Sequence, residues 1–255
     1  MFNTINWLWR LFATAICYIT FGLGALTMGL LIFSLIRIFT RDPLKTKQRI
    51  QYTIHKGFSF FIWLMQALGI MTVEYQGVEK LKQDKGVVVI ANHPSLIDVV
   101  IIIGLIPYAD CIVKEALWNN FFIKWIVKAA YIPNRRAEGL IDDCRNALSD
   151  GGNLVIFPEG TRTEAGKPLK FQRGVANIAI NTKADIRPIQ VHCKPEFLTK
   201  RLKWYQIPPK KAHFLIKVDD RIATVSHLEG VKPTMASRKI TKMLEDYYRE
   251  RVSYD

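Results

Sequence analysis

The chain has 255 residues, 49% of them hydrophobic and 23% charged, which supports a packed core and excludes wholesale disorder. Its 36 Lys and Arg against 22 Asp and Glu leave a formal charge of +14, a field that favours anionic partners without choosing among nucleic acid, phospholipid headgroups and acidic proteins. Leu11 to Ile36 makes that choice, because these 26 positions carry no charged side chain. As helix they span about 39 Å, more than the ~30 Å hydrocarbon core of a bilayer, and a free nucleic-acid-binding protein has no use for them.

This first apolar segment is too long for the h-region of a cleaved signal, and no A-x-A-like site closes it. Arg10 alone stands among the charges before it, whereas residues 37, 41, 45, 47, 49 and 56 are Lys or Arg against the single Asp42, a net of +5. The positive-inside rule then places the C-terminal bulk in the cytoplasm, with a bacterial-type inner membrane as the expected location. A second stretch, Gly57 to Val73, is uncharged over 17 residues and rich in aromatics. It reads as a second span, a core helix or an interfacial helix, the last being favoured. Residues 1–73 are therefore expected to be a membrane-anchoring helical region and 74–255 a separate folded domain.

From Val78 the texture changes. Val87–Ile90, Cys111–Val113, Asn153–Phe157, Ile186–Cys193 and Ala212–Val218 read as strands. Helices are expected near 97–106, 116–129, 137–150 and 233–251. Leu140, Ile141, Cys144, Ala147 and Leu148 share one face of the third, and Gly151-Gly152 stops it. The alternation predicts an α/β fold, a mostly parallel central sheet covered by helices. Four scattered cysteines (17, 111, 144, 193), with no C-x-x-C pair, read as small buried hydrophobes.

Chemistry concentrates at two strand ends. Strand Val87–Ala91 runs into Asn92-His93-Pro94-Ser95-Leu96-Ile97-Asp98. Pro94 suits the first turn of a helix, which puts His93 at the junction and Asp98 about one turn inside. A carboxylate on one ring nitrogen would fix the tautomer and support an imidazolium, the arrangement of a histidine general base. On this segment alone, a junction histidine satisfied by backbone fits as well. The second strand end is Pro158-Glu159-Gly160-Thr161-Arg162, where Arg162 can grip a phosphate and Gly160 lets backbone approach. Ligands of open α/β sheets bind outside such carboxyl ends.

Together, Asn-His-Pro-Ser-Leu-Ile-Asp at 92–98 and Phe-Pro-Glu-Gly-Thr-Arg at 157–162 resemble the lysophospholipid acyltransferase family, which includes bacterial 1-acylglycerol-3-phosphate acyltransferases. The resemblance covers about residues 80–200 and implies a glycerolipid acyltransferase-like fold with an N-terminal hydrophobic helical region. It implies that His93 and Asp98 are catalytic and that Glu159, Gly160, Thr161 and Arg162 bind the acceptor, the arginine near its phosphate. Lys114 stands where the family has a basic phosphate-holding residue, and Arg135 in Tyr131-Ile-Pro-Asn-Arg matches an arginine-bearing motif, with Arg136 as the other choice. Ile186-Arg187-Pro188-Ile189 matches the fourth motif.

The implied reaction moves an acyl group from acyl-CoA or an acyl-carrier-protein thioester to a lysophospholipid hydroxyl, with no cofactor and no metal. Pro94 stands where many glycerol-phosphate enzymes have Gln. That, with Lys114-Glu-Ala-Leu-Trp118 and Tyr131-Ile-Pro-Asn134, looks more like members found beside polyene-lipid biosynthesis genes, so another lipid acceptor is an alternative. A non-catalytic lipid-binding protein of the same fold is a second. The basic, aromatic-laced Lys194–Lys211 stretch, with six Lys or Arg and one Glu, reads as a solvated face, a membrane contact or a carrier-protein dock. Membrane phospholipid is an expected partner and nucleic acid is not.

Overall fold

The computed structural model describes residues 2–121, 123–134, 139–164, 166–224, 226 and 232–252. Short β-branched runs build its sheet. The strands are β1 (Met71–Gln76), β2 (Val88–Ala91), β3 (Ala109–Val113), β4 (Ile132–Pro133), β5 (Asn153–Ile156), β6 (Ile186–Lys194) and β7 (Ala212–Val218), in the order β1-β7-β6-β2-β5-β3-β4. Every neighbouring pair is parallel except β6 and β7. Every residue of β2 and β5 is buried, as the apolar run of β2 and the Leu-Val-Ile of β5 require of strands covered on both faces. Strand β7 instead alternates buried and exposed positions, and edge strand β1 is mostly open.

The pleat of β2 divides the core. Val89 and Ala91 join one cluster with residues of α1 (Phe2–Thr27), α3 (Pro43–Ala67), α4 (Asp98–Ile103) and α6 (Lys124–Ala130). Val88 and Ile90 join the other, with α7 (Leu140–Ser149), α8 (Gly174–Thr182) and α9 (Pro233–Arg251). Helix α3 starts where Asp42 accepts bonds from the Leu44 and Lys45 amides at 2.9 and 3.1 Å, with Pro43 in its first turn. It buries Ile50, Ile54, Phe61, Ile62 and Met65 while Phe60 and Trp63 face outward. The second apolar stretch is thus the end of this half-packed helix followed by β1.

Residues Thr4–Phe39 are long and apolar enough, by length and composition, to cross a membrane. They form α1, a π-helical turn over Met28–Ile32, and α2 (Phe33–Phe39). One side of this rod is packed against the rest of the chain. Ala13, Cys17, Ala25 and Phe33 are buried, Arg10 donates to the Pro208 and Pro209 carbonyls at 3.0 and 2.6 Å, and the Trp9 indole donates to Leu68 O at 3.0 Å. In the π-turn the backbone of Gly29 lies so close to Trp125 that a Cβ there would stand 2.5 Å from the tryptophan Cβ. The other side exposes Ile5, Leu8, Phe12, Ile19, Leu23 and Leu31.

Several expectations are corrected. The helix expected over 116–129 is broken into α5 (Glu115–Trp118) and α6. The one expected over 97–106 is only α4. Strands β1 and β4 and helix α8 were not anticipated. At the amino edge of the sheet, buried Asp84 takes a bidentate pair from Arg187, both bonds at 2.7 Å, and a further 2.7 Å bond from Arg221 Nε. Arg187, expected in a family motif, therefore does structural work far from the carboxyl edge.

Candidate active site

The carboxyl ends of β2 and β5 meet at the site. Buried Asn92 extends the sheet beyond the last residue of β2: its side chain donates to Val191 O at 2.7 Å and accepts from Val191 N at 2.8 Å. His93 follows, and the chain then bends through residues 94–97 before α4 opens at Asp98. Pro94 is thus not in the first helical turn, and Asp98 is the first helical residue rather than one turn in. The carboxylate itself ties off the bend: Oδ2 accepts from Ser95 N, and Oδ1 accepts from Val99 N and His93 Nδ1, all at 2.8 Å. Asp98 is fully buried, and three N–H donors converging on it compensate the water it has lost.

Because Asp98 can only accept when ionised, Nδ1 carries the proton of a neutral His93 ring and Nε2 keeps a lone pair. The ring lies 4.4 Å, centroid to centroid, from Phe157 at the end of the neighbouring strand. Its side chain is 16% exposed, which leaves the ring reachable. Ser95 Oγ donates to Phe197 O at 2.7 Å and Leu96 N to Leu198 O at 3.1 Å, so the 197–198 segment braces the bend.

The second motif holds the histidine from behind. Glu159 accepts the His93 amide at 2.9 Å and the Thr163 hydroxyl at 2.7 Å, while Thr163 N donates to His93 O at 2.7 Å. Burial pushes the Glu159 carboxyl above its ordinary value, against the pull of these hydrogen bonds. Gly160 turns the loop with φ +66, and Gly160 and Thr161 are exposed. Arg162 donates from Nη1 to Leu198 O and Thr199 O, both at 3.1 Å. Glu159 is therefore a backbone anchor in this structure, and Arg162 a clamp on the 198–199 loop.

Lys114 lies exposed just after β3, on the same carboxyl edge, with β5 between its strand and β2. Arg135 and Arg136 lie outside the described residues. Sequence reasoning missed Thr163, Asn92 and Ser95, whose hydrogen bonds reach partners remote in sequence. The only signal for them was their place inside or beside the two motifs. Among the described residues no group of three or more His, Cys, Asp or Glu is placed to hold a metal.

His93 opens onto an apolar cavity of about 440 Å³ between the N-terminal helices and the sheet. Cys17, Tyr18 and Phe21 of α1, Phe58 and Phe61 of α3 and Ile126 of α6 are among its walls. On the other side of the same bend, Pro94 and Thr163 border a groove of about 260 Å³ lined by both charged and apolar side chains. One strand end thus faces an apolar cavity and a groove of mixed character.

Comparison with known proteins agrees with this layout. A 1-acyl-sn-glycerol-3-phosphate acyltransferase of Pseudomonas aeruginosa is 26% identical over 183 residues, 69% of each chain. One of Cocos nucifera is 33% identical over 108 residues, 39% of this chain and 35% of its own. The chain thus spans between about a third and two thirds of the length of these curated relatives. The crystal structure of the 1-acyl-sn-glycerophosphate (LPA) acyltransferase PlsC from Thermotoga maritima shares the fold, with a TM-score of 0.68, 20% identity, and 98% of this chain and 99% of that one covered. Residues 72–192, which contain both motifs, match the Acyltransferase family model. Through that segment the chain is similar to acyltransferases.

Proposed function

We propose that the protein transfers an acyl group from a CoA or carrier-protein thioester to the free hydroxyl of a lysophospholipid, 1-acyl-sn-glycerol-3-phosphate first among acceptors, giving phosphatidic acid. The observation that carries this reading is the His93–Asp98 pair standing at the mouth of a 440 Å³ apolar cavity. His93 Nε2 takes the proton of the acceptor hydroxyl as its oxygen attacks the thioester carbonyl. The tetrahedral intermediate collapses by breaking the C–S bond, and the imidazolium returns the proton to the leaving thiolate. Such a base contributes roughly 10²–10⁴-fold. Asp98 orients the ring and supports its charge, and the cavity holds hydrocarbon out of water near the reacting carbonyl.

The exposed apolar side of α1 and α2 supports membrane attachment, with lysolipid reaching the cavity past the α1 residues that wall it. The excess of Lys and Arg after this segment favours the cytoplasmic side. The test is detergent-solubilised protein and its His93→Ala variant, given lysolipids with acyl-CoA or acyl-carrier protein, products being read by mass spectrometry. The expected result is phosphatidic acid from the wild type and a loss of at least about 10²-fold in the variant. His93-dependent acylation of a different lipid would keep the chemistry and replace the acceptor. Turnover unaffected by the substitution would overturn the mechanism.

A further inference from the structure

The groove beside Pro94 is not used by the mechanism above. Its lining includes Thr163, residues 193–196 and residues 199–201, so that Lys194, Lys200 and Arg201 share it with Glu164 and Glu196. No residue of α1 borders it, whereas α1 walls the apolar cavity, so the two openings face different surroundings. Val252, just past α9, packs with the opposite cluster, while Val191 and Cys193 pack with the one that holds the N-terminal helices, so the groove lies at the end of the sheet between its two faces.

Two features suit an anion there. Thr199 Oγ1 is buried with no hydrogen-bond partner among the described residues, although the loop that carries it is clamped by Arg162. A buried hydroxyl left unpaired costs free energy that a ligand can restore. Lys200 donates to Glu164 at 2.7 Å, but Glu164 also pairs with Lys167 at 2.6 Å. A phosphate can therefore take Lys200 while Glu164 keeps a cation.

We propose that this groove receives the phosphate-bearing arm of the CoA thioester, with Lys194, Lys200 and Thr199 holding its phosphates, while the acyl chain lies in the apolar cavity across the bend. The inference rests on the acyltransferase reading. The phosphate could come instead from the lysolipid headgroup, but a lipid arriving past α1 enters by the cavity, whereas a soluble donor needs an opening away from the apolar helices. His93 lines the cavity and its neighbour Pro94 the groove, so a donor spanning the bend carries its thioester past the base. Charge-assisted contacts to phosphate of this kind are screened by salt.

The experiment compares the full-length protein in detergent with a Lys194→Ala/Lys200→Ala double variant and with Thr199→Val. CoA alone is titrated calorimetrically, and KM is measured separately for palmitoyl-CoA and for lysophosphatidic acid. The expected result is CoA affinity weakened about tenfold or more in the double variant and less in Thr199→Val, KM for palmitoyl-CoA raised in step, and KM for lysophosphatidic acid unchanged. Unchanged CoA affinity overturns the proposal, as does a rise confined to the lysophosphatidic acid KM, which would assign the groove to the acceptor headgroup. Wild-type protein that binds CoA through these residues but turns nothing over would sink the acyltransferase reading and leave the groove standing.

Discussion

Asp84 and Asp98 flank the same strand, and both carboxylates are wholly buried. Before β2, Asp84 faces two guanidinium groups, which carry fixed charges and hold it in three directions. After β2, Asp98 faces two backbone amides and an imidazole. The first anion is compensated permanently, and nothing around it can change its charge at ordinary pH. The second has one partner able to gain and lose a proton. Burial alone does not mark a carboxylate as a candidate for catalysis, and a partner of variable charge beside an accessible cavity does.

The contrast breaks most sharply at Asp98. Asp98→Asn keeps a side chain of the same shape but loses the anion, and kcat is expected to fall by up to about 10⁴-fold, the scale seen when a base's orienting aspartate is neutralised elsewhere. Steady-state kinetics on folded variant protein checks it, and a kcat within threefold of wild type would mean that Asp98 is only a cap on α4.

The matching substitution at the other end, Asp84→Asn, should cost roughly 3–5 kcal/mol of stability by leaving buried guanidinium charge uncompensated, while kcat per folded molecule stays near wild type. Thermal and urea unfolding measure the cost. Acid tests the same cluster. Burial alone would raise the Asp84 carboxyl, but hydrogen bonds and charges from Arg187 and Arg221 outweigh it and leave it below the ordinary 3.8. Its stabilisation is thus complete above that value and is lost as pH falls through the lowered one, a loss that Asp84→Asn should remove from the acid-unfolding profile.

The smallest effect belongs to the bracing layer. Thr163→Val removes one donor to Glu159 and one acceptor near the His93 amide, and is expected to lower kcat about tenfold with little change in either KM. Thr163→Ser, which keeps the hydroxyl, should restore most of it. A change in KM alone would show that Thr163 acts on substrate and not through His93.

The His93–Asp98 pairing was legible because five residues of chain suffice to make it, and the central strands because β2 is an unbroken apolar run and β5 is apolar after Asn153. The final strand and helix, Ala212–Val218 and Pro233–Arg251, match their sequence bounds for the same local reasons. Strand β1 escaped notice because it is an edge strand, mostly exposed, directly after an apolar run that ends a helix. Strand β4 is two residues long, and no periodicity can mark it. Arg162 shows a different limit. A basic residue in a Gly-containing loop reads as a phosphate grip, yet its Nη1 is spent on carbonyls 36 and 37 residues away in sequence, a partnership only the fold creates.

The closeness of Gly29 to Trp125, and the presence of Cys17, Tyr18 and Phe21 in the cavity wall, bear on how this protein can be handled and how its kind can diverge. The first forty residues are not an interchangeable tether. Deleting them to obtain a soluble fragment strips a wall from the apolar cavity beside His93, and grafting on a foreign helix with a larger side chain in place of Gly29 forces α6 away from its seat. Changes in the π-turn and α6 have to be made together, so the N-terminal rod is inherited as part of the fold.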